Sequence, residues 1–422
     1  MRLTRLLSGF ALLLTGLLSA CGTHHHARAA APAPAAVANA GPPMILISID
    51  AFRPDYLQRG VTPNLNALAA GGARASMRPS FPSLTFPNHY TLVTGLRPDH
   101  HGVINNTMRD PDRPSVVFKS SDPKQASDRF WWDGGEPFWV SAERAGIRTG
   151  TLFWPGSEAA IHGVRPSQWL PYDKSLTPNA RVDHLLSWFD LPPAQRPRAY
   201  TLYFDDVDTD GHHYGPAGAE IETAIARVDA AIGRLREGLR ARGLADHVNL
   251  ILVADHGMAA TPAGQRIVLN KLFSEEDYDL VTASTLAGLN PKPGHEAALD
   301  AALAEPHPHL RCWHKAELPP AFHYGQNRRV PEIQCLADVG WITTRDEVPP
   351  AGDHSGGAHG YDPSAPEMAA LFIANGPAFK AGVALPMFDN VDVYSLEMKL
   401  LGLPPLPSDG SLDSLRSALK TP

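Results

Sequence analysis

Met44-Ile45-Leu46-Ile47-Ser48-Ile49 is a short apolar run that stops at Asp50, and the same pattern returns along the chain. Residues 248–254 form a second run ending at Asp255, residues 200–204 a third, and residues 369–373 a fourth. The apolarity is continuous rather than alternating, which marks strands covered on both faces, as in a parallel sheet flanked by helices. Helical stretches lie between the runs. Thr62-Pro63 opens one as cap and first-turn proline, Gly71 closes it, and residues 221–244 make a longer amphipathic helix. The architecture predicted is α/β, a doubly wound, mostly parallel sheet whose ligands gather at the carboxyl ends of its strands. Two of the runs already end there in aspartate.

The chain has 422 residues, 43% of them hydrophobic, which is enough for a large core and excludes a disordered polymer. Residues 44–422 exceed a usual single core, so one large catalytic domain with a smaller inserted subdomain at about residues 262–350 is expected. That insertion is expected to cover the site or shape its specificity. The net charge of −7, from 37 Lys+Arg against 44 Asp+Glu, and the lack of a basic cluster argue against a nucleic-acid polymer as partner. No internal run of eighteen apolar residues is present, so a multi-pass membrane protein is excluded.

Residues 1–20 read as a secretory signal peptide, with Arg2 and Arg5 ahead of an apolar stretch. The run Leu18-Ser19-Ala20-Cys21 resembles a bacterial lipobox, in which Cys21 becomes the acylated first residue. Ordinary cleavage near Ala29 to Ala31 is the alternative. Residues 21–43 are rich in Ala and Pro and read as a tether. The expectation is an exported bacterial protein, periplasmic or anchored to the outer membrane, touching membrane only through a lipidated Cys21. Cys312 and Cys335, 23 positions apart, either pair in an oxidising compartment or remain separate buried thiols. A bridge closing a loop of that length stabilises by roughly 3 kcal/mol in the chain-entropy account.

Asp and His recur at the strand ends. Asp50 follows the first run, Asp255-His256-Gly257 the second, and Asp208 with His212 the third; His359 lies in a glycine-rich stretch. Three carboxylates and three imidazoles make mixed nitrogen and oxygen donor sets, which suit zinc with an open position better than calcium or magnesium. In Pro82-Ser83-Leu84-Thr85-Phe86-Pro87-Asn88-His89-Tyr90, Thr85 is expected at a helix amino terminus, where free N–H groups favour anions such as phosphate. From this segment alone, Thr85 is either a nucleophile or only a helix cap.

Together these motifs resemble the nucleotide pyrophosphatase/phosphodiesterase family of the alkaline phosphatase superfamily. They comprise Thr-Phe-Pro-Asn-His-Tyr at 85–90, Trp154-Pro155-Gly156-Ser157-Glu158, Asp208 and His212 with Gly215-Pro216, Asp255-His256-Gly257, and His359-Gly360-Tyr361-Asp362. With Asp50 they follow the family's order over most of the domain. The resemblance implies an alkaline-phosphatase-like fold and two Zn²⁺ per chain. One site would be held by Asp208, His212 and His359, the other by Asp50, Asp255 and His256 with the Thr85 oxygen. It also implies that Asn106 donates to a phosphate oxygen, with Asn105 as the alternative if the loop is off by one. Phe86 and Tyr172 would sandwich a nucleobase, and Tyr203 would approach the same pocket. Tyr172 and Tyr203 as plain core residues is the other reading.

The implied chemistry is attack of Thr85 on phosphorus, hydrolysis of the phosphothreonine by water, and release of a nucleoside 5′-monophosphate from ATP-like or dinucleotide substrates. An amide N–H at Thr85 or Phe86 would join Asn106 in stabilising the phosphate. Two divalent cations are balanced by three aspartates and one alkoxide, so a monoanionic diester suits the site better than a dianionic monoester. The competing readings are a choline or lipid phosphodiesterase, a phosphate monoesterase, and a tethered binding protein with a degenerate site.

Overall fold

A computed structural model describes residues 41–349 and 352–421. The signal-peptide and Cys21 expectations, and the tether up to residue 40, lie outside the described residues. No helix among the described residues is long and apolar enough to cross a membrane.

The central sheet has nine strands: β1 (Met44–Ile49), β2 (Ala73–Arg78), β3 (Thr149–Leu152), β4 (Gln168–Leu170), β5 (Ala199–Phe204), β6 (Asn249–Val253), β7 (Ala370–Asn375), β8 (Val383–Ala384) and β9 (Phe388–Asp389). Their order is β8-β2-β7-β6-β1-β5-β3-β4, with β9 also pairing β2. All residues of β1, β5 and β6 are buried, as their unbroken apolar sequences require. β1 pairs in parallel with β5 and with β6, whereas β7 is antiparallel to both β6 and β2. The fourth apolar run therefore departs from the parallel expectation. Continuous apolarity reports burial on two faces and carries no information about direction.

Register does the positioning. Ile49 lies opposite Phe204 and Ser48 opposite Val253, so β1, β5 and β6 end side by side. Asp50, the Asp205–Asp208 segment and Asp255 thus leave the sheet at one edge. Because β7 is reversed, its amino end meets the same edge, and the chain before it delivers His359. The pairing of Gly356–Ala358 with Ala259–Thr261 holds that approach beside His256. Gly257 is required there, since a Cβ would lie 2.0 Å from the Glu367 carbonyl oxygen.

The helices include α1 (Pro63–Ala70), α2 (Thr85–Thr94), α3 (Pro178–Phe189), α4 (Asp206–Tyr214), α5 (Ala219–Ala241) and α6 (Val393–Leu401). α1 begins after Thr62 and stops at Gly71 as predicted, but the Thr62 side chain does not cap it. The buried Asp229 carboxylate on α5 accepts the Asn64 and Leu65 N–H groups instead. α2 ends at Gly95, whose φ of 67° is the left-handed conformation that glycine takes without penalty.

Within the predicted insertion, strands Tyr278–Thr282, Leu286–Pro291, Ile333–Ala337 and Leu310–His314 form an antiparallel sheet backed by helix Glu296–Leu303. Cys312 and Cys335 face one another across two of these strands and are joined by a disulfide. The sheet has its own apolar cluster, including Phe273, Leu289, Leu299 and Ile333.

Glu397 on α6 is fully buried, and neither of its carboxyl oxygens has a hydrogen-bond partner. Burial pushes its pKa well above the usual carboxylate range, so the folded protein keeps it protonated at pH values where the unfolded chain has ionised it. The sign follows from linkage: the folded state binds more protons above about pH 4.5, so stability from this group is full below that pH and falls as pH rises. Glu397→Met, similar in volume and free of orphaned oxygens, should raise unfolding stability by about 1–3 kcal/mol at neutral pH. Urea melts at pH 5 and pH 8 test this; the variant's gain should be larger at the higher pH.

Candidate active site

Three histidines converge at the sheet edge, and the main chain sets the tautomer of each. His256 Nδ1 donates to the Gly257 carbonyl (2.9 Å), His212 Nδ1 to the Gly357 carbonyl (2.8 Å), and His359 Nδ1 to the Ser83 carbonyl (3.0 Å). A carbonyl can only accept, so in each neutral ring Nε2 carries the lone pair. This is the arrangement that prepares histidine to bind a metal.

The Nε2 atoms point at oxygen and at each other. His256 Nε2 lies 3.0 Å from Asp255 Oδ2, 3.4 Å from Asp50 Oδ1 and 3.2 Å from Thr85 Oγ1. His212 Nε2 and His359 Nε2 are 3.1 Å apart, and Asp208 Oδ1 is 3.3 Å and 3.5 Å from them. Two lone pairs in contact repel unless a cation sits between them. Asp50 Oδ1, Asp208 Oδ1 and Asp255 Oδ2 are buried without hydrogen-bond partners, one in each carboxylate of the cluster. Burial, then Asp255 and Asp208, drives Asp50 well above the ordinary carboxylate range. Burial, then His256 and His212, holds His359 well below the ordinary imidazole value. Burial also pushes Asp255 upward, but the neighbouring His256 and His89 outweigh it and hold Asp255 well below. So many buried, mutually opposed donors fit divalent cations, which would pair the orphaned oxygens and separate the facing nitrogens.

Proximity alone groups the donors as Asp208, His256 and His359, and as Asp50, His89 and Asp255. That differs from the ligand sets the resemblance implies in the places of His212, His256 and His89. Hydrogen bonding decides against His89 as a ligand. Its Nδ1 donates to the Thr85 carbonyl (2.9 Å) and its Nε2 faces Ser48 Oγ (2.8 Å), so neither nitrogen is free. His89 Nδ1 also lies 3.3 Å from Asp255 Oδ2. His256 stacks on His359, with centroids 3.6 Å apart, and stands between the two groups. His213, next to His212, is exposed and outside the cluster.

Thr85 is the first residue of α2, and the residue before it, Leu84, provides no side-chain cap. The Thr85 hydroxyl therefore caps nothing and faces His256. The Phe86 N–H donates to Asn106 Oδ1 (2.9 Å). With Oδ1 committed as acceptor, the Asn106 amide nitrogen is left as donor, and Pro87 has no N–H to offer. Of the two backbone donors expected, Thr85 N–H is the one not occupied by Asn106. Asn105 is engaged elsewhere: its Oδ1 takes the Thr107 N–H (3.0 Å) and it does not line the cavity.

A cavity of about 490 Å³ opens from this cluster, lined by Asp50, Thr85, Phe86, Asn106, Asp208, His212 and His359 at one end and by Phe153, Glu158 and Tyr172 at the other. Phe86 packs on Phe118 and Trp132, and Tyr172 packs on Phe153. Tyr203 also borders the cavity, but its hydroxyl donates to Asp50 Oδ2 (2.6 Å), so it orients a carboxylate of the cluster. None of the described residues of 262–349 lines the cavity. The insertion acts from behind. Thr285 Oγ1 donates to the His359 carbonyl (2.8 Å), and Phe322 stacks on Phe81 at 4.2 Å. His89 and Glu158 lie inside motifs quoted from the sequence but were given no role there, and Asp205 and Arg181 were not named. Asp205 follows an apolar run and could have been noticed, whereas Arg181 looks like any polar residue of a helix.

Residues 44–362 match the type I phosphodiesterase / nucleotide pyrophosphatase family. The chain is 38% identical over 392 residues to bovine ectonucleotide pyrophosphatase/phosphodiesterase family member 3, covering 90% of this chain and 44% of the relative. It is 38% identical over 384 residues to an uncharacterised pyrophosphatase/phosphodiesterase of Schizosaccharomyces pombe, covering 88% of this chain and 79% of that protein. A venom phosphodiesterase of Crotalus durissus collilineatus is 38% identical, with 90% of this chain and 47% of the relative covered. The chain thus spans less than half the length of the bovine and snake relatives. Among solved structures, an inactive variant of murine ectonucleotide pyrophosphatase/phosphodiesterase 5 in complex with AMP superposes with a TM-score of 0.85 at 34% identity, covering 90% of this chain and 100% of that one.

Proposed function

The chain belongs to the type I phosphodiesterase / nucleotide pyrophosphatase family, and from that premise we propose that it hydrolyses nucleotide phosphodiester and pyrophosphate bonds through a phosphothreonine, releasing a nucleoside 5′-monophosphate. The observation that carries this reading is the Thr85 hydroxyl, uncapped at the head of α2, 3.2 Å from His256 Nε2 and open to a cavity that ends in aromatic rings. The AMP bound to the murine relative supports a nucleotide as ligand.

Asp208, His212 and His359 would hold one zinc ion, and Asp50, Asp255, His256 and the Thr85 oxygen a second. When bound, such a pair supplies positive charge to the oxygens that become more negative during an in-line displacement. Thr85 Oγ1 attacks phosphorus, forming an ester as the leaving oxygen departs. Water then cleaves that ester, its hydroxyl going to phosphorus and its proton to Thr85 Oγ1, which replaces the proton that the Thr85 hydroxyl gave up to the departing oxygen in the first step. Asn106, fixed by the Phe86 N–H, and the Thr85 N–H donate to the non-bridging oxygen where charge builds. Tyr203 holds Asp50 in place throughout.

Among the described residues, no Arg or Lys lines the cavity. The cluster therefore has no extra cation for a second phosphate charge, which favours diesters over monoesters. We expect kcat/KM for 4-nitrophenyl thymidine 5′-phosphate to exceed that for 4-nitrophenyl phosphate by about 100-fold or more, the scale of about 3 kcal/mol in transition-state binding. A ratio below one would replace this reading with a monoesterase. Faster turnover of a phosphocholine ester would replace it with a choline phosphodiesterase.

A further inference from the structure

Tyr172 is an exposed ring of the cavity, at 43%, yet both of its ends are tied down. Its backbone N–H donates to Glu158 Oε1 (2.8 Å) and its hydroxyl to Asp205 Oδ2 (2.6 Å). Asp205 is held in turn by Arg181, whose Nη1 lies 2.8 Å from Asp205 Oδ1. Arg181 is an unusual residue for this place, because its side chain is 2% exposed. It also donates to the carbonyls of Leu176 (2.9 Å) and Tyr203 (3.0 Å), and its guanidinium lies 5.2 Å from the Phe153 ring and 5.9 Å from the Tyr172 ring. A fork with two further bonds beyond the ion pair has no freedom to reorient. Arg181 fixes Asp205, Asp205 fixes the Tyr172 hydroxyl, and the exposed ring is left with one orientation.

We propose that Arg181 is a positioning residue for substrate selection. Acting through Asp205, it presets the Tyr172 ring as the outer wall of the cavity, so that substrates carrying a planar base are bound without the cost of ordering that wall. The proposal rests on the nucleotide reading above and deepens it. A loose tyrosine at this exposure would have to be immobilised at each binding event, whereas a fixed one lets stacking appear directly in affinity. None of Arg181, Asp205 and Tyr172 is among the metal-ligating candidates, so the expected defect is in binding the base and not in the chemistry at phosphorus.

The test compares two diesters with the same leaving group, 4-nitrophenyl thymidine 5′-phosphate and methyl 4-nitrophenyl phosphate. In Tyr172→Phe, which keeps the ring and removes the hydroxyl, the base-bearing to base-free ratio of kcat/KM should fall about threefold to tenfold, the scale of one lost hydrogen bond, with the fall carried by KM. Arg181→Met should lower the ratio at least as much, and Arg181→Lys should not restore it, because an ammonium cannot reproduce the fork. Tyr172→Phe alters an exposed position and is not expected to impair folding, so it decides the matter even if Arg181→Met misfolds. An unchanged ratio in Tyr172→Phe, or an equal loss on both substrates, overturns the proposal. A wild-type ratio near one would instead remove the nucleotide reading, and the proposal with it.

Discussion

Thr85→Ala should lower turnover of a nucleotide diester by about 10⁴-fold or more, the range seen when a covalent nucleophile is removed and only binding and transition-state contacts remain. The fold should be untouched, because Thr85 does not cap α2 and alanine is favoured in a helix. Bound metal should also be largely retained, since six other donors of the cluster remain. Rapid acid quenching of wild-type enzyme with a substrate radiolabelled at phosphorus should trap label on the protein, and the alanine variant should trap none. Normal turnover by Thr85→Ala would show that water attacks directly and that the hydroxyl has another role.

Asp50→Asn should act in opposite directions on the loaded and the metal-free protein. With zinc supplied, the variant should lose bound metal and about 10³-fold or more in activity, because a carboxylate with a buried, partnerless oxygen is replaced by a weaker ligand. Stripped of metal, the same variant should be more stable than stripped wild type by about 1–3 kcal/mol, since it removes a buried carboxylate that Asp255 and Asp208 oppose. Elemental analysis gives the first result and thermal melts with and without chelator the second. A metal-free wild type more stable than the metal-free variant would mean that the cluster is settled without cations, and the metal-centre reading would fall.

The convergence of these aspartates and histidines was legible in the sequence for a specific reason. Parallel strands expose their carboxyl ends along one edge, so Asp50 and Asp255 announced themselves as charges terminating apolar runs, and the rest followed by motif. Direction was not legible. β7 is as apolar as β6, and nothing in either composition tells that one is reversed. The insertion was opaque because its strands are short and of mixed burial, such as Tyr278–Thr282 and Leu310–His314, and its cluster of apolar residues is assembled from distant segments. Its location behind the site depends on contacts such as Thr285 with His359 that no local pattern encodes. Arg181 was invisible for a related reason: an arginine within Pro178–Phe189 looks solvated until tertiary packing encloses it.

Each imidazole at the sheet edge leans on a peptide carbonyl, from Gly257, Gly357 and Ser83 respectively. Those supports belong to the main chain and not to side chains, so residues around the histidines can change without disturbing which nitrogen faces inward. An attempt to graft this chemistry onto a foreign scaffold would fail if it transplanted the histidines and aspartates alone. It would have to carry the three stretches of backbone that tell those rings which way to turn.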